Sequence, residues 1–378
     1  MSKKIVSTGK GTLSRTRTEY KMRIKGSFYH KSFEKALQQF GKKAETNLLK
    51  NFILDLSETS WVEIASITFL LCFLNKLKRN GINVRIVLPE DNLSLFENRD
   101  TAKKVRDFLF RWKFYDCLQL YVDPLLENLF YSNQMHLLKE AQVFYTPAHL
   151  SRADDMFTQL LSNGLLELTP LTEIRGGQSS ISADIINSRI ELLTKSALIK
   201  TILKNAIGLS DAGAEAFGKT LICESLKNVY EHPEATVGII GMAKDIGGKW
   251  FLIAVADNGV TIPETIKKTF ISDKKIQALG DKDLLAIACE DHTLIEYATR
   301  ENVTSKPHLP GINRGMGLHF LKTKSIELGG YLAIRSGSAR VKFLKKDSAI
   351  DCQLEDVPRQ DGNLITIYLP YKKGAMKR

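Results

Sequence analysis

Two short apolar runs flank a helical stretch, and this arrangement constrains the chain more than any other. Asn51–Leu56 (NFILDL) and Asn83–Leu88 (NVRIVL) each read as a short buried strand. Between them, Val62–Lys78 reads as a helix, stopped by Asn80-Gly81, a C-cap signal. Pro89 closes the second strand. Strands separated by a helix of about sixteen residues cannot form a hairpin, so they pair in parallel as a βαβ unit. The N-terminal half is therefore expected to be an α/β layer. Ser32–Phe40 and Ala102–Trp112 add amphipathic helices to it.

The rest of the composition sets bounds. With 378 residues the chain is long enough for two domains. The hydrophobic share is 43% and the charged share 25%, ordinary for a soluble protein. The most apolar stretch, Trp61–Leu74, is about fourteen residues, shorter than a bilayer span, and it contains Glu63. The N-terminus lacks the apolar core of a secretion signal. Five scattered cysteines show no metal or redox spacing, which favours a reducing, cytoplasmic setting. Net charge is +12, with lysines and arginines gathered at both ends. Residues 1–25 read as a basic arm, irregular or extended. Such a balance serves nucleic acid, an acidic partner or solubility, and no recognition motif selects nucleic acid among them.

The segment ILDLSETSWVEIASITFLLCFLNKLKRNGINVRIVLP resembles the centre of a STAS domain, the fold of anti-sigma-factor antagonists. That resemblance implies a STAS-like α/β module over 26–120. It also implies an acidic residue followed by a phosphorylatable hydroxyl where the central helix begins. Glu63 stands at the acidic position, but Ile64 and Ala65 follow it, and Ser66 is the nearest hydroxyl. The plain alternative is a small α/β module used for assembly.

Residues 121–181 read as a helical connector, with helices at Asp123–Glu140 and Ala153–Ser162 and a strand at Gly164–Leu168. Beyond it, Ser182–Ala206 has a helical period. A second helix is capped at Ser210-Asp211 and runs to about Tyr230, before Pro233. Thr236–Met242 and Trp250–Ala256 are strands; Glu264–Ile271, Asp281–Ala298 and Leu318–Leu328 are helices. Tyr331–Ser336, Ala339–Leu344 and Leu364–Leu369 complete the strands. The expected fold is an α/β sandwich over 182–372, with helices on one face of a mixed sheet.

Three pieces of this second half carry chemistry. Glu224, Asn228 and His232 recur at four-residue steps on one helix, so they share a face. A solvated helix carries such a stripe too; its weight comes from two motifs further along the chain. Asp257-Asn258-Gly259 ends an apolar strand, where a carboxylate accepts from an exocyclic amine and a glycine admits a flat ring. Arg314-Gly315-Met316-Gly317-Leu318 opens a helix, whose first N–H groups cradle phosphates beside a cation. Asn228 offers an oxygen to Mg²⁺, and Glu224 is placed to take a proton.

The order of these pieces resembles the GHKL (Bergerat) ATPase domain of histidine kinases, gyrase, Hsp90, MutL and anti-sigma-factor kinases. Glu224, Asn228 and His232 match its N box, in the ExxxNxxxH form of the anti-sigma-factor serine kinases. Asp257 and Gly259 match the G1 box, with Thr261 where the family usually has a second glycine. Gly315 and Gly317 match the G2 box, with Arg314, Met316 and Leu318 beside them, and the lid falls between Ile262 and Arg314. The resemblance implies ATP and Mg²⁺ as cofactors, with Asn228 at the metal. It leaves hydrolysis, phosphotransfer or binding alone open.

No upstream histidine has the acidic neighbour of a sensor kinase: His136 and His149 are each followed by leucine. Three functions remain. One is a Mg²⁺-dependent ATP-binding regulator, an ATPase whose nucleotide state orders the lid and changes contacts with the N-terminal module or a protein partner. Another is a serine/threonine kinase acting on a separate STAS-like partner. The last is a silent adaptor using its basic segments on nucleic acid or an acidic partner. A homodimer is compatible with all three.

Overall fold

The computed structural model describes residues 18–44, 49–89, 168–173, 207–218, 237–244, 249–272, 290–301 and 317–371, together with scattered positions in 105–127 and 203, 204, 220, 221 and 303. The described residues are mixed α and β, with a four-stranded parallel sheet, a two-stranded parallel ribbon and a five-stranded antiparallel sheet.

The βαβ unit is present. Strands β1 (Glu19–Arg23), β3 (Asn51–Asp55), β5 (Asn83–Val87) and β6 (Leu125–Glu127) form a sheet in the order β1-β3-β5-β6, every pairing parallel. A two-stranded parallel ribbon, β2 (Gly26–Phe28) with β4 (Thr59–Val62), lies beside it. Helices α1 (His30–Ala44) and α2 (Ile64–Arg79) complete this half. Phe40, Phe52 and Phe73 meet edge to face at centroid distances of 5.5–5.7 Å, fixing helices against strand.

Two expectations change here. The basic arm is not all arm: Glu19–Arg23 is the edge strand β1, with Met22 buried. Lys21 and Arg23 reach Asp55 at 2.7 and 2.9 Å, and Lys25 reaches Glu58 at 2.8 Å, so these cations face carboxylates of their own module. Leu125–Glu127, read as helix, is the strand β6, because the open edge of β5 takes its backbone hydrogen bonds. The remainder of Asp123–Glu140, and Ala153–Ser162, lie outside the described residues.

The second sheet runs β10-β11-β9-β8-β7, built from β7 (Leu168–Glu173), β8 (Val237–Lys244), β9 (Trp250–Asp257), β10 (Tyr331–Lys346) and β11 (Ala349–Pro370). Every pairing is antiparallel, so it is not the mixed sheet expected. β7 belongs to it as an edge strand, where Pro170 costs the sheet no central hydrogen bond. The pieces read as separate strands at 331–336 and 339–344 are one strand, irregular at Gly337, which takes a left-handed φ of 63°. Asp291 braces that bulge by accepting from the Ser338 N–H and hydroxyl at 2.8 and 2.7 Å.

Helices cover both faces of this sheet, not one. One face carries α3 (Ile262–Ser272), α4 (Asp291–Ala298) and α5 (Gly317–Glu327), with Ile253, Val255, Ile334, Ile367 and Leu321 in one core. The other face presents Leu252, Ala254, Ala256 and Ala333, which share a core with α2. Small residues on that face let the helix approach closely. At Gly241 an added Cβ would lie 2.6 Å from Ile64 Cγ1 and 2.8 Å from Thr68 Oγ1. Helix α2 is thus sandwiched between the two sheets, and thirteen of its sixteen residues are buried.

One buried cation also joins the halves. Arg335 of β10, 2% exposed, donates to Glu34 of α1 at 3.0 and 3.3 Å and lies over the Phe69 ring at 4.8 Å. No helix among the described residues is long and apolar enough to cross a membrane.

Candidate functional site

Strand β9 leads to the site. Its side chains alternate: Phe251, Ile253 and Val255 face α3–α5, whereas Leu252, Ala254 and Ala256 face α2. Asp257 continues the first set, so its carboxylate lies on the face that α3–α5 cover. Register places Asn363 of β11 opposite Asp257, and Ser336 of β10 opposite Asn363. The three strands thereby align a buried polar row, Asp257–Asn363–Ser336, at one end of the sheet.

The row is hydrogen-bonded throughout. The Asn363 side-chain amide donates to both Asp257 oxygens at 3.1 Å and to the Val260 carbonyl at 3.0 Å. Its own oxygen accepts from the Ser336 hydroxyl at 2.6 Å and the Ile262 N–H at 3.0 Å. The Gly259 N–H donates to Asp257 Oδ1 at 2.9 Å, closing the Asp-Asn-Gly turn. The Gly362 N–H donates to the Gly259 carbonyl at 2.8 Å. Gly362 has a φ of +82°, and a Cβ there would fall 2.1 Å from the Asp257 carbonyl oxygen, so only glycine fits. A carboxylate fixed in this way is an acceptor of set direction in a region shielded from water, as recognition of an amine edge requires.

Thr261, which stands in place of a glycine in the resemblance to the GHKL domain, has a local duty. It is 1% exposed, and its hydroxyl accepts from the Glu264 N–H at 3.3 Å, capping α3. Gly259 does not adopt a positive φ, so its backbone leaves that position open to other residues on conformational grounds. Gly317 is the first residue of α5, one position earlier than expected, and Leu318 follows it in the first turn, half-buried against the α3–α5 core. The other predicted residues, Glu224, Asn228, His232, Arg314, Gly315 and Met316, lie outside the described residues. Of the helix meant to carry the first three, residues 211–218 are helical, and Ser210 accepts from the Gly213 N–H at 3.1 Å as its cap.

The turn is also tied to the other face of the sheet. Asn258 points the opposite way from Asp257, and its side-chain amide donates to Asn75 Oδ1 of α2 at 2.8 Å. Beside this bond, Lys76 of α2 forms an ion pair with Asp361 of β11. Burial and then the nearby Asp257 and Cys117 push the Cys72 thiol well above its ordinary range, so it is an inert filler of α2.

Sequence reasoning missed Asn363, Ser336 and Asn75. Asn75 and Asn363 are amides in mainly apolar runs, FLNKL and GNLITI, whereas Ser336 stands among other polar residues in AIRSGSA. An amide in an apolar run hints at a buried polar group but not at its partner, and Ser336 carries no such hint.

Glu63, the acidic residue at the head of α2, is also engaged. It accepts from the His30 N–H and the Ser66 hydroxyl, both at 3.1 Å. Burial raises its pKa, and the His30 contacts followed by Ser66 outweigh that and lower it. Ser66 is 1% exposed with its hydroxyl spent on Glu63, so its present setting offers no room for a phosphate.

No protein-family model matches the chain, and neither a curated protein nor a solved structure does so.

Proposed function

We propose that the chain is a Mg²⁺-dependent ATP-binding regulator, with a GHKL-type nucleotide domain in its C-terminal half and a STAS-like module in its N-terminal half. The observation that carries the reading is the buried Asp257–Asn363–Ser336 row, which fixes a carboxylate at the end of β9 on the face that α3–α5 cover. A second element supports it: a helix, α5, starts at Gly317, the second glycine of the Gly315-Met316-Gly317 sequence.

In this reading Asp257 accepts from the exocyclic amine of adenine, and Gly259 gives the ring close access. Gly315, Met316, Gly317 and Leu318 offer backbone N–H groups to phosphate oxygens, with Arg314 as a nearby cation. Asn228 holds Mg²⁺, which supplies charge neutralisation to the phosphates when bound, and Glu224 is the base for an attacking hydroxyl. His232 completes the N-box face. Thr261 acts by capping α3 and so positions the lid's first helix. The two-sided packing of α2 favours a regulator, because the N-terminal module is built into the nucleotide half.

The test is calorimetric titration of Mg-ATP into wild-type protein and Asp257→Asn. Saturable binding that weakens more than about tenfold in the variant supports the site. Equal affinity in the two proteins overturns it.

A further inference from the structure

Helix α2 belongs to the N-terminal module by sequence, yet its far end grips the candidate site. Its buried hydroxyls are satisfied locally: Ser66 donates to Glu63 at 3.1 Å, and Thr68 donates to the Ile64 carbonyl at 2.7 Å. Asn75 differs, because its oxygen accepts from a residue in the other half of the chain. Both amides are 7% exposed, so the bond is made where water offers no replacement. The next residue, Lys76, pairs with Asp361, which adjoins the Gly362 that is hydrogen-bonded to Gly259. One helical turn thus holds both the Asp257–Thr261 loop and the strand end that clamps it.

The loop itself transmits position across the sheet. Asp257 and Asn258 are neighbours whose side chains lie on opposite faces, one toward α3–α5 and one toward α2. A shift of either moves the other through a single peptide plane. Helix α2 has no slack to absorb such a shift, since Gly241 brings it into close contact with β8.

We propose that Asn75 is a positioning residue for the Asp257–Thr261 loop, and that through it the N-terminal module and ligand binding at Asp257 are energetically linked. The identity of the ligand as Mg-ATP rests on the function proposed above; the mechanical link does not. By reciprocity, whatever Asn75 contributes to ligand affinity the ligand returns as stabilisation of α2.

The experiment measures Mg-ATP affinity and amide exchange on full-length wild type, Asn75→Leu, Asn258→Leu and the double variant. Asn75→Ala is the second choice should Asn75→Leu fail to fold. Leu70→Ala is the control, in the same helix and also buried but with no polar contact to the loop. Expected are about tenfold weaker binding in each single Asn variant, no further loss in the double variant, and a change under about twofold in Leu70→Ala. Saturating Mg-ATP is expected to slow exchange of amides 72–78 in the wild type but not in Asn75→Leu.

If the wild type binds and Asn75→Leu binds equally well, the linkage is wrong. If the wild type binds no Mg-ATP, the nucleotide reading falls, and exchange in the free protein decides the rest. Faster exchange over 257–262 in Asn75→Leu than in Leu70→Ala upholds the positioning role, and equal exchange overturns it.

Discussion

Helices α2 and α5 lie on opposite faces of one antiparallel sheet and are held in different ways. Thirteen of sixteen residues of α2 are buried, because a second sheet covers its outer side. Only Leu321, Ser325 and Ile326 of the eleven residues of α5 are buried. A helix packed on two sides is a fixed reference, whereas a helix packed on one can re-seat at the cost of one contact layer. In the proposed site the fixed helix touches the base-reading loop through Asn258, and the lightly held one starts at the phosphate-binding glycines. On that reading, nucleotide-dependent movement is expected in α5, with α2 as the frame against which it moves.

The largest test of this difference is a matched pair of cavities. Leu70 and Leu321 are both 0% exposed. Leu70→Ala should cost about 4–5 kcal/mol, because neither sheet can collapse into the hole, and Leu321→Ala about 2–3 kcal/mol, because α5 can settle inward. Urea unfolding measures both, and equal losses would erase the distinction.

A smaller effect tests the α2 interface from the sheet side. Gly241→Ala places a methyl against Ile64 and Thr68 and should destabilise by about 1–3 kcal/mol, read from the same unfolding curves. No loss would mean that α2 is not seated tightly on β8.

The smallest effect concerns the outer sheet that covers α2. Burial raises the pKa of Asp55, but hydrogen bonds from Lys21, Ser57 and Arg23 outweigh it and hold the carboxylate at about 2, against an ordinary 3.8. The folded value is the lower one, so this stabilisation is complete above about pH 4 and fades as pH falls toward 2. With both cations half exposed, it amounts to roughly 1–2 kcal/mol. The stability gap between wild type and Asp55→Asn should shrink over that range, and a constant gap would show that the charge contributes nothing.

Much of this architecture was legible in the residues. The βαβ unit followed from strand length and the spacing between runs, and β8 and β9 from their apolar character. Two errors have one physical source. Nearly continuous apolar strands and a helix apolar on all sides each signal burial on both faces, but neither says what covers the second face. The α2–sheet contact joins segments far apart in sequence, and only the alanines and glycine facing α2 hint at it. Strand β6 was misread because its three residues carry too little pattern to compete with the helical period around them. At the site, Asp257 could be singled out from the turn it opens, and Thr261 only through a resemblance. Asn363, Ser336 and Asn75 could not, because an amide or hydroxyl read in the sequence does not name its partner.

The sandwiching of α2 also bears on how the chain comes off the ribosome. Its helix and outer sheet are synthesised first, while β8 and β9, which cover its remaining side, come much later. At roughly 5–20 residues per second the wait is on the order of ten seconds. Throughout it the face of α2 that carries Ile64 and Thr68 is without its later cover of β8 and β9, a surface that a holding chaperone can shield.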